Sequence, residues 1–374
     1  MRQERSGFVQ VLAVAGAYTA YHIGSGFATG NEIAQFFVSW GGVWPFIVFA
    51  VALLFAAGTN YIMYQTGCLV RFNKSNECYY YYCGKHIGKI FDYYVYITLV
   101  AFIMVMITGS GATIRQYYNL PEYVGTIGMG ILCALAACLG LRKLVDVLGS
   151  IGILIMVFTV GCGLYMIFTA NVAPMEGAKN TAQYVEEGLI LQPMVLGIKN
   201  PILAGLSYGG VLMLALPWVT SMGSLLKSKK QAAATSVLSA LFLFAAAFSV
   251  ALALMLNLDN VAGAQIPMLA AVQSHLPYLA GFYSIIIIMG IFTTATGQLF
   301  ILADRFSEQG TKKFYAIVFG TVAFGIATGS FIPFTTIVNI VYSVLGLSGV
   351  ILASFLLVKF VQVRRMGAKS LEET

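Results

Sequence analysis

Nine consecutive residues, Gly24-Ser25-Gly26-Phe27-Ala28-Thr29-Gly30-Asn31-Glu32, carry the densest chemistry in the sequence. Glu32 and His22 are the only Asp, Glu, His, Lys or Arg between Gly7 and Ser39, in an otherwise apolar stretch. A carboxylate at membrane depth is costly to keep and marks function by default. Glu32 can carry a proton, hold a substrate ammonium or brace its own segment through a neighbouring hydroxyl. His22 titrates near neutral pH and is the second proton candidate, unless it serves as a neutral imidazole bonded to a helix carbonyl. The three glycines within seven positions each cost a helix about 1 kcal/mol against alanine. A lipid-facing helix cannot stop at mid-membrane without orphaning backbone groups, so a break there must line a cavity. The expected form is therefore a discontinuous helix, with one half from Gly7 to about His22, a hinge, and a second half from Ala28 to Val38. The competing form is a continuous helix whose glycines admit a close neighbour. Downstream, Ser207-Tyr208-Gly209-Gly210 repeats the glycine-rich pattern, and Thr293, Thr294 and Thr296 form a hydroxyl cluster. Those hydroxyls either face a ligand or bond back to their own helix.

Such residues need a scaffold, and the composition names its kind. The chain of 374 residues is 59% hydrophobic and 9% charged, with mean hydropathy +0.85. That is an all-α polytopic membrane protein, not a soluble domain. Apolar segments long enough to span a bilayer are expected at about 7–39, 42–70, 90–114, 123–140, 144–170, 200–226, 232–256, 277–303, 313–332 and 336–362. With both termini inside, only Arg115, Lys179 and Lys199 of the 21 basic residues fall on the outer side. The positive-inside rule thus places both termini in the cytoplasm, and the plasma membrane is the expected location. It also accounts for the net charge of +7 without a nucleic-acid partner. The lipid bilayer and a small-molecule substrate are the partners expected. The six cysteines hold no C-x-x-C pair and the three histidines lie far apart, which argues against a metal cage or a disulfide framework. Of the longer outer connections, 171–199 is expected to hold a short helix near Thr181–Glu187. The other, 257–276, is expected to hold one opened by Pro267. No linker divides the chain, so 1–374 reads as a single membrane transport domain.

Counting five spans on from the first reaches Ser207–Gly210, with Pro217 seven residues beyond Gly210 as a competing break point. Because five is odd, segments 7–170 and 200–362 enter the membrane from opposite sides, a 5+5 inverted repeat. Interrupted helices at matching positions of two such halves point to a transporter site at the midplane. The second half of each broken helix, which begins at the break, would aim N–H groups into the cavity, and the first half, which ends there, would offer carbonyls. A zwitterion, or an anion with a small cation, suits that pair of ends. Substrate is accordingly expected at Gly24, Ser25, Gly26, Phe27, Ser207, Tyr208, Gly209 and Gly210.

These stretches resemble the LeuT-like fold of the amino acid–polyamine–organocation superfamily, with its broken spans 1 and 6. Gly24 to Glu32 is similar to the G-A-G-F-A-S-G-Q-E stretch of the YkvI-like membrane proteins, and Ser207-Tyr208 resembles that family's span 6 hinge. The resemblance implies secondary transport of an amino acid or related amine. It further implies a sodium site in which span 8, packed beside the first half of span 1, supplies Thr293 and Thr294 while Tyr21 to Gly24 supply carbonyls. It implies an inner gate as well, in which Arg5 pairs with Asp304. The proton alternative places coupling on Glu32 or His22. Asp92 reads as a helix N-terminal carboxylate. A channel lacks the continuous polar lining it would need, and an enzyme lacks clustered titratable groups. A sensor with a transporter fold is the remaining rival.

Overall fold

The computed structural model describes residues 7–139 and 145–372. Among the described residues there is no strand, only an isolated bridge between Val195 and Ile198. The chain opens with three short helices, α1 (Gly7–His22), α2 (Ser25–Thr29) and α3 (Asn31–Phe36). There follow α4 (Trp44–Val70), α5 (Glu77–Tyr118), α6 (Glu122–Leu139) and α7 (Val145–Thr169). The connection after α7 carries α8 (Pro174–Gly177) and α9 (Thr181–Glu186). Beyond it lie α10 (Pro201–Leu212), α11 (Leu216–Gly223) and α12 (Lys229–Leu256). The small helices α13 (Leu258–Val261) and α14 (Pro267–His275) lead to α15 (Pro277–Phe306), α16 (Lys312–Phe331) and α17 (Phe334–Glu372).

Eight helices among the described residues are long and apolar enough to cross a membrane, counting α10 and α11 together as Pro201–Gly223. Their boundaries follow ordinary start signals. Asn200 caps α10, its side chain accepting from the Ile202 and Leu203 amides, and Pro201 fills the first position. Ser228 and Thr311 cap α12 and α16 in the same way. In α5 the backbone leaves helical geometry at Gly84, where φ is 72°, so a short helix at 77–83 precedes the long one.

The second expected break is displaced. Ser207 to Gly210 lie inside a continuous helix, and the chain tightens only over Met213–Ala215, just before Pro217. Proline removes an N–H and crowds the preceding turn, so it, not the glycine pair, sets the irregularity. The glycines serve packing instead. A Cβ on Gly210 would overlap the Gly346 carbonyl of α17, and one on Gly209 would lie 2.7 Å from the Phe55 ring of α4. Close backbone contact through small residues is how helices associate where lipid supplies no hydrophobic drive. As a result α10 is held between α4 and α17, while α12 covers α1 and α4. The other half is built on α5, which packs against α6, α15 and α16.

Candidate transport site

The first segment is interrupted where expected, and then a second time. α1 ends at His22, and Gly24 is extended before α2 begins at Ser25. The helix therefore resumes three residues earlier than the sequence suggested. It breaks again at Gly30, which adopts φ 73° between α2 and α3. A side chain there would be strained, and its Cβ would lie 3.0 Å from that of Met268 on α14.

This second turn brings Glu32 back to the first break. Along a straight helix Glu32 would stand about 9 Å beyond Gly26. Instead its Oε2 lies 3.1 Å from where a Cβ on Gly26 would be, and the Tyr342 hydroxyl of α17 lies 3.0 Å from the same point. The carboxylate is 5% exposed. Tyr208 of α10 donates to its Oε1 at 3.1 Å, and Tyr342 supplies a second hydroxyl. The Tyr208 ring is fixed edge-on against Phe37, 4.7 Å between centroids. Glu32, Gly26, Tyr208 and Tyr342 thus meet at one point, drawn from three parts of the chain.

From Asn31, beside Glu32 in sequence, an amide network runs to Gln265 before α14 and to α17. Asn31 donates to the Gln265 carbonyl at 2.8 Å. Gln35 donates to Asn31 Oδ1 at 2.6 Å and to the Thr335 carbonyl at 2.8 Å, and accepts from Asn339 at 2.8 Å. Gln265 in turn donates to Glu122 at 2.7 Å. These residues border a cavity of about 240 Å³ lined by Asn31, Gln35, Gln265, Pro267 and Thr335 among others. Drug-sized ligands occupy about 300–1,000 Å³, so this space suits a smaller solute.

The surroundings of the end of α1 differ. Tyr21 is 53% exposed and stacks on Trp218 of α11, 4.6 Å between centroids, which joins the end of α1 to the second half of the Pro217 span. His22 Nδ1 bonds the Tyr18 carbonyl at 2.9 Å and its ring lies 4.2 Å from that of Tyr18, the neutral helix-bonded role. The buried Asn60 side chain lies beside the Tyr18 hydroxyl, and the Leu212 backbone lies beside His22. Thr294 faces the break, its hydroxyl 3.6 Å from a Cβ position on Gly24. No Thr293 atom lies within 4 Å of that position, and its hydroxyl donates to the Gly290 carbonyl at 2.9 Å. The neighbour of α15 is also different from the one expected. It packs against α2, while α1 packs chiefly against α12.

Ser207 points to α17, where its hydroxyl lies 3.4 Å from the Tyr342 and Ser343 carbonyls. Phe27 is buried in the core. The Ser25 side chain and Arg5 lie outside the described residues. Asp304 is exposed, and it is the next residue, Arg305, that pairs with Asp92, at 3.6 Å. Asp92 is not at a helix start. It is buried within α5 and accepts from Tyr80 at 2.9 Å and Asn76 at 3.2 Å, tying the short helix before Gly84 to the end of α15. Tyr342, Asn339 and Asn60 escaped the sequence reading because an uncharged polar residue in an apolar span, even with Asn339 and Tyr342 three apart in α17, matches no motif. The four-residue spacing of Asn31, Gln35 and Ser39, which that reading passed over, is the signal that could have found the amide network.

No family model matches the chain. Two proteins of Bacillus subtilis (strain 168) are similar in sequence. The uncharacterized protein YyaD is 30% identical over 157 residues, 42% of this chain and 43% of YyaD, so the chain matches less than half of that relative's length. The uncharacterized membrane protein YkvI is 23% identical over 382 residues, 98% of this chain and 99% of YkvI. Among solved structures, a mutant of the Eremococcus coleocola manganese transporter aligns with TM-score 0.50 and 13% identity, covering 100% of this chain and 74% of that one. A complex of the same transporter with an aromatic bis-isothiourea compound gives 0.49 and 12%, with the same coverage. The chain is a multi-pass membrane protein. Its helices share an arrangement with those of a transporter.

Proposed function

We propose that the chain is a secondary active transporter of an amino acid or related small amine, working by alternating access and coupled to a cation. The observation that carries this reading is the hydrogen bond from Tyr208 to Glu32, which sets one buried carboxylate beside the interruption of the first segment. A lone carboxylate among helix ends in an apolar bundle calls for a positive partner, and the ammonium of an amino acid or amine supplies it. On this reading the interrupted stretch 7–40 and α7 are the two spans beyond the eight, giving ten in a LeuT-like 5+5 repeat with cytoplasmic termini. Substrate would approach through the cavity beside Asn31 and Gln35 and meet Glu32 between α2 and α10. Manganese, the cargo named for the transporter of similar arrangement, fits the residues poorly. Among the described residues no group of three His, Cys, Asp or Glu could hold a metal ion.

For the coupling ion, sodium would be held by carbonyls of Tyr21 and Gly24 with the Thr294 hydroxyl. Proton coupling on Glu32 is the second reading, supported by the burial of that carboxylate in the first segment. Reconstituted protein, screened with labelled amino acids and amines under sodium and proton gradients separately, tests both. Accumulation of one substrate class against its gradient is expected. Ohmic currents without accumulation would make the protein a channel, and binding without flux would make it a sensor.

A further inference from the structure

A larger cavity, about 830 Å³, opens at the opposite end of the molecule from the amide network. Four elements border it: the last turns of α4 with Gln65 and Leu69, Tyr81 and Tyr82 before Gly84, the first turn of α12 with Lys229 and Lys230, and α17 with Lys359. No lining residue is acidic, so three ammonium groups face one space without a carboxylate. Lys359 is held in place, its Nζ 5.2 Å from the centroid of the Tyr81 ring. Lys229 is the first residue of a 28-residue helix, whose N-terminal amides add to the positive field. The Tyr82 hydroxyl is buried beside Thr66 against this cavity, on a residue 6% exposed. The rest of the rim is apolar and exposed, with Leu69 58%, Val70 42% and Val363 43% accessible.

We infer that this cavity binds an anionic phospholipid from the cytoplasmic leaflet. A cationic rim over exposed aliphatic side chains matches a molecule with a phosphate at one end and acyl chains at the other. A soluble anion would use the lysines and leave the apolar wall without a partner. Lys229 and Lys230 open α12, and Lys359 lies within α17 toward the end of its apolar stretch, Phe334–Val363. Basic pockets between helices on the cytoplasmic side are suited to lipid headgroups. The bound lipid would bridge α4, α12 and α17, and so stiffen the frame around α10.

The test uses the full chain purified in maltoside and stripped of lipid, with thermal unfolding followed during titration. The probes are dioctanoyl-phosphatidylglycerol, dioctanoyl-phosphatidylcholine and sodium phosphate. Phosphatidylglycerol is expected to raise the midpoint temperature saturably, and the other two to leave it unchanged. Each lysine near an anionic lipid contributes about fivefold in affinity. Lys359→Gln should therefore shift the titration about fivefold, and the Lys229→Gln, Lys230→Gln, Lys359→Gln combination about a hundredfold. Lys313→Gln, on the same face but outside the cavity, should not shift it. If the triple variant does not fold, Lys359→Gln against Lys313→Gln decides. Equal titrations in wild type and lysine variants would overturn the proposal, as would an equal response to phosphatidylcholine. Saturation by phosphate with the same lysine dependence would overturn the lipid assignment in favour of a soluble anion.

Discussion

Replacing Tyr208 by phenylalanine removes one oxygen atom and little else, since the ring keeps its packing against Phe37 and Phe244. The hydroxyl lost is the one that donates to Glu32 Oε1 at 3.1 Å. That exceeds the about 2.5–2.7 Å of a strong bond to a carboxylate. The lower end of the range for hydrogen bonds to charged groups then applies, about 1.5 kcal/mol. Tyr342 remains as a second donor, so the carboxylate is not left bare. In a Glu32→Gln background the same deletion removes a bond between neutral groups, worth about 0.5–1 kcal/mol. The double-mutant cycle should therefore give a coupling energy of about 0.5–1 kcal/mol, read from unfolding in mixed micelles with increasing dodecyl sulfate. Uptake by Tyr208→Phe should fall about tenfold if the whole bond acts in the transport cycle. A coupling energy of zero, with unchanged uptake, would show that the contact is packing and that Glu32 is not held for function by α10.

Other substitutions separate structural from functional roles. Gly210→Ala should destabilise the protein by about 1–3 kcal/mol, because α10 and α17 must move apart. A hinge at Gly210 would instead alter turnover at unchanged stability. Gly30→Ala, at φ 73° and against Met268, should cost about 1–2 kcal/mol in the same unfolding assay. Thr294→Val should raise the sodium needed for half-maximal uptake about tenfold while Thr293→Val leaves it within about twofold. Equal effects, or sodium-independent uptake in wild type, would transfer the coupling role to Glu32. Asp92→Asn should weaken the tie between Tyr80, Asn76 and Arg305 by about 1–3 kcal/mol, and cysteines placed near α15's end should then label faster.

Much of the helical frame could be read from the sequence because hydropathy, proline at helix starts and polar caps act locally. The end of α1 at His22 and the helix opened by Pro267 are local effects of that kind. What escaped depends on neighbours. Gly209 and Gly210 look alike in sequence whether they break a helix or admit one, and only the position of Gly346 and Phe55 settles it. Pro217 acts through its own covalent geometry, so it was visible as a break point. The return of Glu32 to Gly26 needed the turn at Gly30, which the sequence suggested only as one glycine among three. The pairing of Arg305 with Asp92, residues 213 positions apart in sequence, had no local signal.

The central claim is that Glu32, at the interruption of the first segment, belongs to a site that moves a small amine-bearing solute. Its most direct test is uptake of labelled amino acids and amines by liposomes carrying wild type and Glu32→Gln side by side, across external pH. Wild type should accumulate one substrate class. Glu32→Gln, folded and inserted equally well, should lose accumulation or lose its dependence on pH. Accumulation at wild-type rates with an unchanged pH profile in Glu32→Gln would contradict the claim and leave that carboxylate a structural brace.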